Sequence, residues 1–183
     1  MSEIVLLSGS PSECSKTDKV LHYLGALLEK EHFSVKHISV KDVPPEVLIF
    51  GKYDSPVIKR ISKQIQGALG VIVGSPVYKA AYSGALKTLL DILPQDVLKN
   101  TPVLPLMTGG SSSHLLAIEY SLKPLLATLK GQNLKGVYLL DSQIDKHQEN
   151  PIIDKEILQR TKKQLQYFID ILNKRRLFET LSS

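Results

Sequence analysis

Short apolar runs alternate along this chain with segments whose apolar residues recur every three or four positions. Residues 3–8 form the first run and predict a strand that ends in the turn cluster Ser8-Gly9-Ser10-Pro11. Over residues 17–31, Val20, Leu21, Leu24, Leu27 and Leu28 make the stripe of an amphipathic helix. Residues 34–39 alternate as a strand does. Residues 42–53 hold a proline pair and no clear period, which predicts a connection with one turn of helix.

Ser55-Pro56 reads as an N-cap followed by proline at the first helical position, opening a helix to about residue 68. Gly70-Val71-Ile72-Val73-Gly74 has the unbroken apolar character of a strand buried on both faces. A helix over 84–93 is stopped by Pro94, and a strand over 103–107 ends in Thr108-Gly109-Gly110. Residues 114–130 read as a long helix with Pro124 inside it, and 134–140 as a strand. The final helix, 154–176, carries its stripe through Ile157, Leu158, Leu165, Phe168, Ile169 and Leu172. Five strands alternating with five helices predict a mostly parallel sheet with helices on both faces. No repeat or flexible linker interrupts the pattern, so residues 1–183 are expected to form one domain.

Composition narrows the class. Apolar residues are 43% and charged residues 22%, ordinary globular values that exclude a disordered or collagen-like chain. One cysteine excludes an internal disulfide and points to the cytoplasm. No apolar run approaches the roughly 20 residues of a membrane span, and the start of the chain reads as a strand rather than a signal peptide. The net charge is +5, but it has no dense basic arm and no aromatic platform for single strands, so no nucleic acid is expected. Much of it falls in the last third, as in Lys174-Arg175-Arg176, where it reads as a solvated helix face. The five histidines show no metal-binding spacing.

In an open α/β sheet, ligands sit beyond the carboxyl ends of the strands. After the first strand come Ser8, Ser10, Ser15, Lys16 and Thr17, leading into a helix. Small hydroxyls and free N–H groups at a helix N-terminus suit an anion, although Ser15 or Thr17 equally suits simple capping. The loop lacks both the Walker A and the dinucleotide glycine patterns, so a phosphate monoester fits better. After the third strand, Tyr78 and Tyr82 are placed to flank a planar heterocycle or to pack under the loop. After the fourth, Gly109-Gly110 lets backbone come close to a ligand.

These residues carry a resemblance. Ser8-Gly9-Ser10-Pro11, Asp54-Ser55-Pro56, the run from Ser75-Pro76-Val77-Tyr78-Lys79 to Leu90-Asp91, Leu104-Pro105-Leu106, Thr108-Gly109-Gly110 and His114-Leu115-Leu116-Ala117 resemble the NAD(P)H-dependent FMN reductases. The likeness is nearest to the reductase component of two-component alkanesulfonate monooxygenases and covers roughly residues 3–145. It implies a flavodoxin-like α/β fold with a five-stranded parallel sheet in the order 2-1-3-4-5. It implies FMN and NADPH or NADH as cofactors, with Ser8, Ser10, Ser15 and Thr17 near the FMN phosphate. Pro76, Val77, Tyr78 and Lys79 would border the isoalloxazine, and Thr108, Gly109 and Gly110 would close its other edge. Many relatives carry arginine in the first loop, where this chain has Glu13, Cys14 and Lys16.

The resemblance further implies a π-bulge at Tyr120 in a homotetramer or dimer interface, and an FMNH2-dependent monooxygenase as partner. Hydride transfer would be carried by the flavin, without a catalytic protein acid or base. A quinone or azo-compound reductase with tightly held FMN, and a flavodoxin-type electron carrier, are the alternatives on the same fold. Cys14 is more economically read as a small residue in a turn, and His114 as a residue in the first turn of a helix, than as reactive groups. Lys79 and Lys87 are candidates to attract the 2′-phosphate of NADPH, with Lys87 better read as an exposed helix position.

Overall fold

The computed structural model describes residues 3–181. Its strands are β1 (Glu3–Ser8), β2 (Ser34–Ser39), β3 (Gly70–Pro76), β4 (Pro102–Gly109), β5 (Gln132–Asn133) and β6 (Val137–Leu140). Its helices are α1 (Lys16–Lys30), α2 (Pro45–Ile49), α3 (Pro56–Gln66), α4 (Gly84–Asp91), α5 (Lys123–Thr128) and α6 (Lys155–Leu181). All strand pairs are parallel, in the order β2-β1-β3-β4-β5 with β6 also on β4. This is the flavodoxin-like order, with a switch point between β1 and β3.

Side-chain alternation along the buried strands divides the core in two. Val5, Leu7, Val71, Val73, Val103 and Met107 point to the face covered by α2, α3, α4 and α5. Ile4, Leu6, Ile72, Leu104 and Leu106 meet α1 and α6 on the other face. Phe168 of α6 is fully buried there, over Gly70. A Cβ at position 70 would come within 2.7 Å of the Phe168 ring, so the close approach of helix to strand needs glycine.

Two expectations change in detail. The strand expected over 134–140 is found as β6, which begins only at Val137, and a separate short β5 precedes the expected start; the two pair with opposite ends of β4. Between them Gly136 takes φ +82°, and a Cβ there would lie 2.7 Å from the Pro105 carbonyl oxygen. The glycine lets the chain leave the ladder and rejoin it, so among the described residues six strands stand where five were expected.

The long helix over 114–130 is also broken. A 3₁₀ turn covers Ser112–His114, a π-helical turn covers Ile118–Leu122, and α5 begins only at Lys123. Pro124 sits in the first turn of α5, where its missing N–H does little harm. It offers no N–H to the carbonyl four residues back, which favours the wider turn before it. At the other end, α6 runs past the expected residue 176 to Leu181.

Candidate functional site

Three loops meet at the carboxyl ends of β1, β3 and β4, and each closes on a serine cap. Ser15 Oγ accepts from Asp18 N–H at 3.0 Å, Ser83 Oγ from Leu86 N–H at 3.0 Å, and Ser111 Oγ from Ser113 N–H at 3.2 Å. The loops are also tied to one another. Gly9 N–H donates to Gly74 O at 2.7 Å, and Ser83 Oγ donates to Gly9 O. Val77 N–H donates to Thr108 O at 2.7 Å. Ser12 Oγ and the Tyr78 hydroxyl lie 3.4 Å apart across the mouth. Gly9 is required by this packing, since a Cβ there would come within 2.7 Å of Leu86 Cβ.

In the first loop the four sequence-predicted hydroxyls have different surroundings. Ser8 is buried and donates to Asp18. Thr17 is buried and shares a 2.7 Å hydrogen bond with Thr108 Oγ1, tying the start of α1 to the end of β4. Ser10 is buried, accepts from Ser12 N–H at 3.4 Å and keeps its own proton to donate. Ser15 is half-buried and combines access with a spare proton. The first-turn N–H groups of Lys16 and Thr17 have no acceptor among the described residues. Ser15 with these two N–H groups therefore fits a phosphate oxygen cluster.

The cations beside this loop are arranged differently from what the loop sequence suggests. Lys16 Nζ donates to Asp141 O at 2.6 Å, toward the end of β6. Lys41, from the turn after β2, lies 3.1 Å from Asp18 and 3.7 Å from Glu13 and donates to Ser12 O at 3.3 Å. Its hydrogen bond to Asp18 holds its pKa above the usual lysine value. Cys14 is exposed at φ +50°.

The second loop holds Pro76, Val77, Tyr78 and Lys79 at the end of β3. Tyr78 and Ala81 bond both ways across a tight turn, at 2.8 and 3.2 Å. Its central residues, Lys79 and Ala80, take φ +51° and +66°. Left-handed backbone without glycine costs roughly 1–3 kcal/mol per residue. The turn leaves Tyr78 45% exposed at the mouth, whereas Tyr82 packs against the core.

In the third loop Gly109 is buried and Gly110 exposed. A Cβ on Gly109 would collide with the Tyr138 hydroxyl. That hydroxyl, buried and so raised in pKa, donates to Ser111 O at 2.6 Å and pins the loop from β6. Downstream, Tyr120 rides the π-helical turn at 79% exposure, with Leu115 and Leu116 also exposed. His114 ends the 3₁₀ turn.

The structure thus gathers Ser10, Ser15, Thr17, Val77, Tyr78, Thr108 and Gly109 into one braced unit, with Tyr120 on a separate surface. Sequence reasoning missed Lys41, Ser12, Ser83 and Tyr138. Lys41 had one signal, since Ser8 pairs with Ser39 in the parallel ladder and places the turn after β2 beside the first loop. Among the described residues, no helix is long and apolar enough to cross a membrane, and no metal-binding group of side chains occurs.

Residues 2–145 match the family model described as NADPH-dependent FMN reductase. The chain is 42% identical over 173 residues to the FMN reductase (NADPH) of Escherichia coli (strain K12), covering 94% of this chain and 91% of that one. It is 33% identical over 152 residues to the NADH-dependent FMN reductase SfnF of Pseudomonas putida, covering 79% and 80%. The solved apo structure of the NADH:FMN oxidoreductase EMOB superposes with TM-score 0.81 at 33% identity, covering 92% of this chain and 88% of that one.

Proposed function

The chain belongs to the NADPH-dependent FMN reductase family, and from that premise we propose that it supplies reduced FMN to a separate monooxygenase. It is an NAD(P)H-dependent FMN oxidoreductase. The observation that carries the reading is the braced set of three loops at the switch point, with phosphate donors on one side and a glycine-bearing edge on the other.

When bound, the flavin accepts hydride from the nicotinamide and carries the redox chemistry. The protein's part is positioning. Ser15 and the first-turn N–H groups of Lys16 and Thr17 hold the phosphate, with Ser8 and Ser10 shaping the loop beneath. Pro76, Val77, Tyr78 and Lys79 would border one edge of the ring, with Tyr78 kept at the mouth by the left-handed turn. Thr108, Gly109 and Gly110, held by Val77, Thr17 and Tyr138, would border the other edge. Restricting the reactants to one arrangement is the source of rate that such a site provides.

The reduced flavin is a product that must leave, so its retention is loose and the oxygenase chemistry belongs to another protein. A sulfonate-sulfur monooxygenase in the cytoplasm is the partner class that fits the resemblance. The chain acts as one domain and assembles as a tetramer or dimer through the π-helical turn and the residues just before it, where Tyr120, Leu115 and Leu116 leave apolar surface uncovered.

The test is steady-state oxidation of NADPH and NADH with FMN, FAD and riboflavin. FMN-dependent turnover, with flavin lost on gel filtration, is expected. Failure to oxidise either dinucleotide with FMN supplied would overturn the reading. Turnover with flavin retained through gel filtration would favour the azo- or quinone-reductase alternative.

A further inference from the structure

We propose that a basic cavity beside the N-terminus of α1 seats the 2′-phosphate of NADPH and sets the preference between the two nicotinamide dinucleotides. The inference rests on the reading that the chain oxidises NAD(P)H.

The cavity holds about 410 Å³ and is built from three chain segments: α1, the turn after β2 and the loop before α6. Lys19, Lys41, Lys146, His22 and His147 line it against the carboxylate of Asp18. Lys41 and Asp18 lie 3.1 Å apart and neutralise each other. Lys19 and Lys146 make no ion pair among the described residues, so two positive charges face the space. A phosphate monoester, near −2 at neutral pH, matches them.

The loop carrying Lys146 and His147 is held in shape. Ile144 bridges to Ile152, and Asp145 N–H donates to Pro151 O at 2.8 Å. The Asp145 carboxylate accepts from His147 N–H at 3.0 Å and from the Gln148 amide at 3.2 Å. These bonds, the first foremost, hold its pKa below the usual aspartate value and commit it to its own loop.

A second cavity of about 440 Å³ continues along α1 and shares Lys19 and His22. Tyr23, Ala26 and Leu27 give it an apolar wall, which suits an adenine ring. The first cavity also borders Cys14 and Ser15, the end of the loop whose Ser12 reaches Tyr78. A dinucleotide lying along α1 thus approaches the redox site from the same loop. Lys87 is a weaker candidate, because both carboxylate oxygens of Asp91 hold it at 2.7 Å.

FMN also carries a phosphate monoester, so the test must separate the two sources. The Lys19→Ala/Lys146→Ala variant is compared with the unmodified chain using NADPH, NADH, FMN and riboflavin. KM for NADPH is expected to rise about tenfold or more, as for the loss of charge-assisted hydrogen bonds. KM for NADH and for FMN should stay unchanged. In the same assay 2′,5′-adenosine diphosphate should inhibit the variant about tenfold less well, while 5′-adenosine monophosphate should act on both alike. Equal rises for NADPH and NADH would overturn the proposal. So would a rise for FMN without one for riboflavin, which assigns the cavity to the flavin phosphate. If the unmodified chain oxidises neither dinucleotide, the reading beneath the proposal fails with it. Normal turnover with no change in NADPH affinity removes the proposal alone.

Discussion

The two faces of the sheet are covered in different ways. One is covered by α1 and α6, of 15 and 27 residues, with apolar stripes that bury Leu21, Leu24, Phe168 and Leu172. The other is covered by four helices of 11 residues or fewer, by 3₁₀ turns and by the π-helical turn. On that side Ile49, Phe50 and Tyr53 form one exposed group, and Leu115, Leu116 and Tyr120 another. On the first face, among the described residues, exposed large apolar side chains are confined to α6 and the loop before it. The long helices anchor the sheet through continuous buried stripes, while the short irregular segments gather their exposed apolar side chains into two local groups.

The largest effect should come from the anchoring face. Phe168→Ala should lower stability in urea unfolding by about 3–5 kcal/mol, the usual range for a buried aromatic. A larger loss from Leu126→Ala, on the opposite face, would break the comparison. Next is the link between α1 and β4. Thr17→Val leaves the buried Thr108 hydroxyl without its partner and should cost about 1–3 kcal/mol. Adding Thr108→Val should recover most of that loss, and a double variant as unstable as the sum of the two singles would refute the pairing.

A smaller effect is expected on the irregular face. Deleting Tyr120 should restore α-helical spacing and shift elution toward a smaller species. Tyr120→Ala, which keeps the residue count, should leave the π-helical turn in place and shift elution less than the deletion does. Tyr167→Ala, exposed on α6, should leave elution unchanged; an equal shift from both would erase the distinction.

The smallest effect concerns His37, whose ring stacks on His22 at 4.1 Å. Partial burial, then the charge of His22, lowers its pKa from 6.5 to about 4. Above pH 6.5 the group is neutral whether folded or unfolded and contributes no pH dependence. Between 6.5 and about 4 only the unfolded chain takes up the proton, so stability falls as pH falls. His37→Gln should flatten that decline in unfolding curves collected across this interval.

The parallel sheet and the three ligand-side loops were legible in the sequence because buried parallel strands write continuous apolar runs, followed by small residues, whereas the strand order came only from the family resemblance. Periodicity could not reveal the break in 114–130, since its apolar positions suit an α-helix or a wider turn alike. The left-handed turn at Lys79-Ala80 carries no glycine to announce it. Tyr138 gives no local signal either, because its hydroxyl acts on a loop 27 residues earlier. Lys41 reaches the first loop only through the pairing of β1 with β2. Local residue types reveal loops, whereas the braces between loops depend on which strands become neighbours.

The interruption at Gly136 bears on how copies of the chain can meet. A sheet ending in a long intact strand exposes a row of unpaired N–H and C=O groups to any other extended chain. Here that margin is cut into pieces of two and four residues. The opposite margin, β2, is six residues long and carries the exposed Lys36. Neither margin is a good template for adding a strand, so the sheet is guarded at both ends against runaway growth and any contact between copies is left to the helical faces.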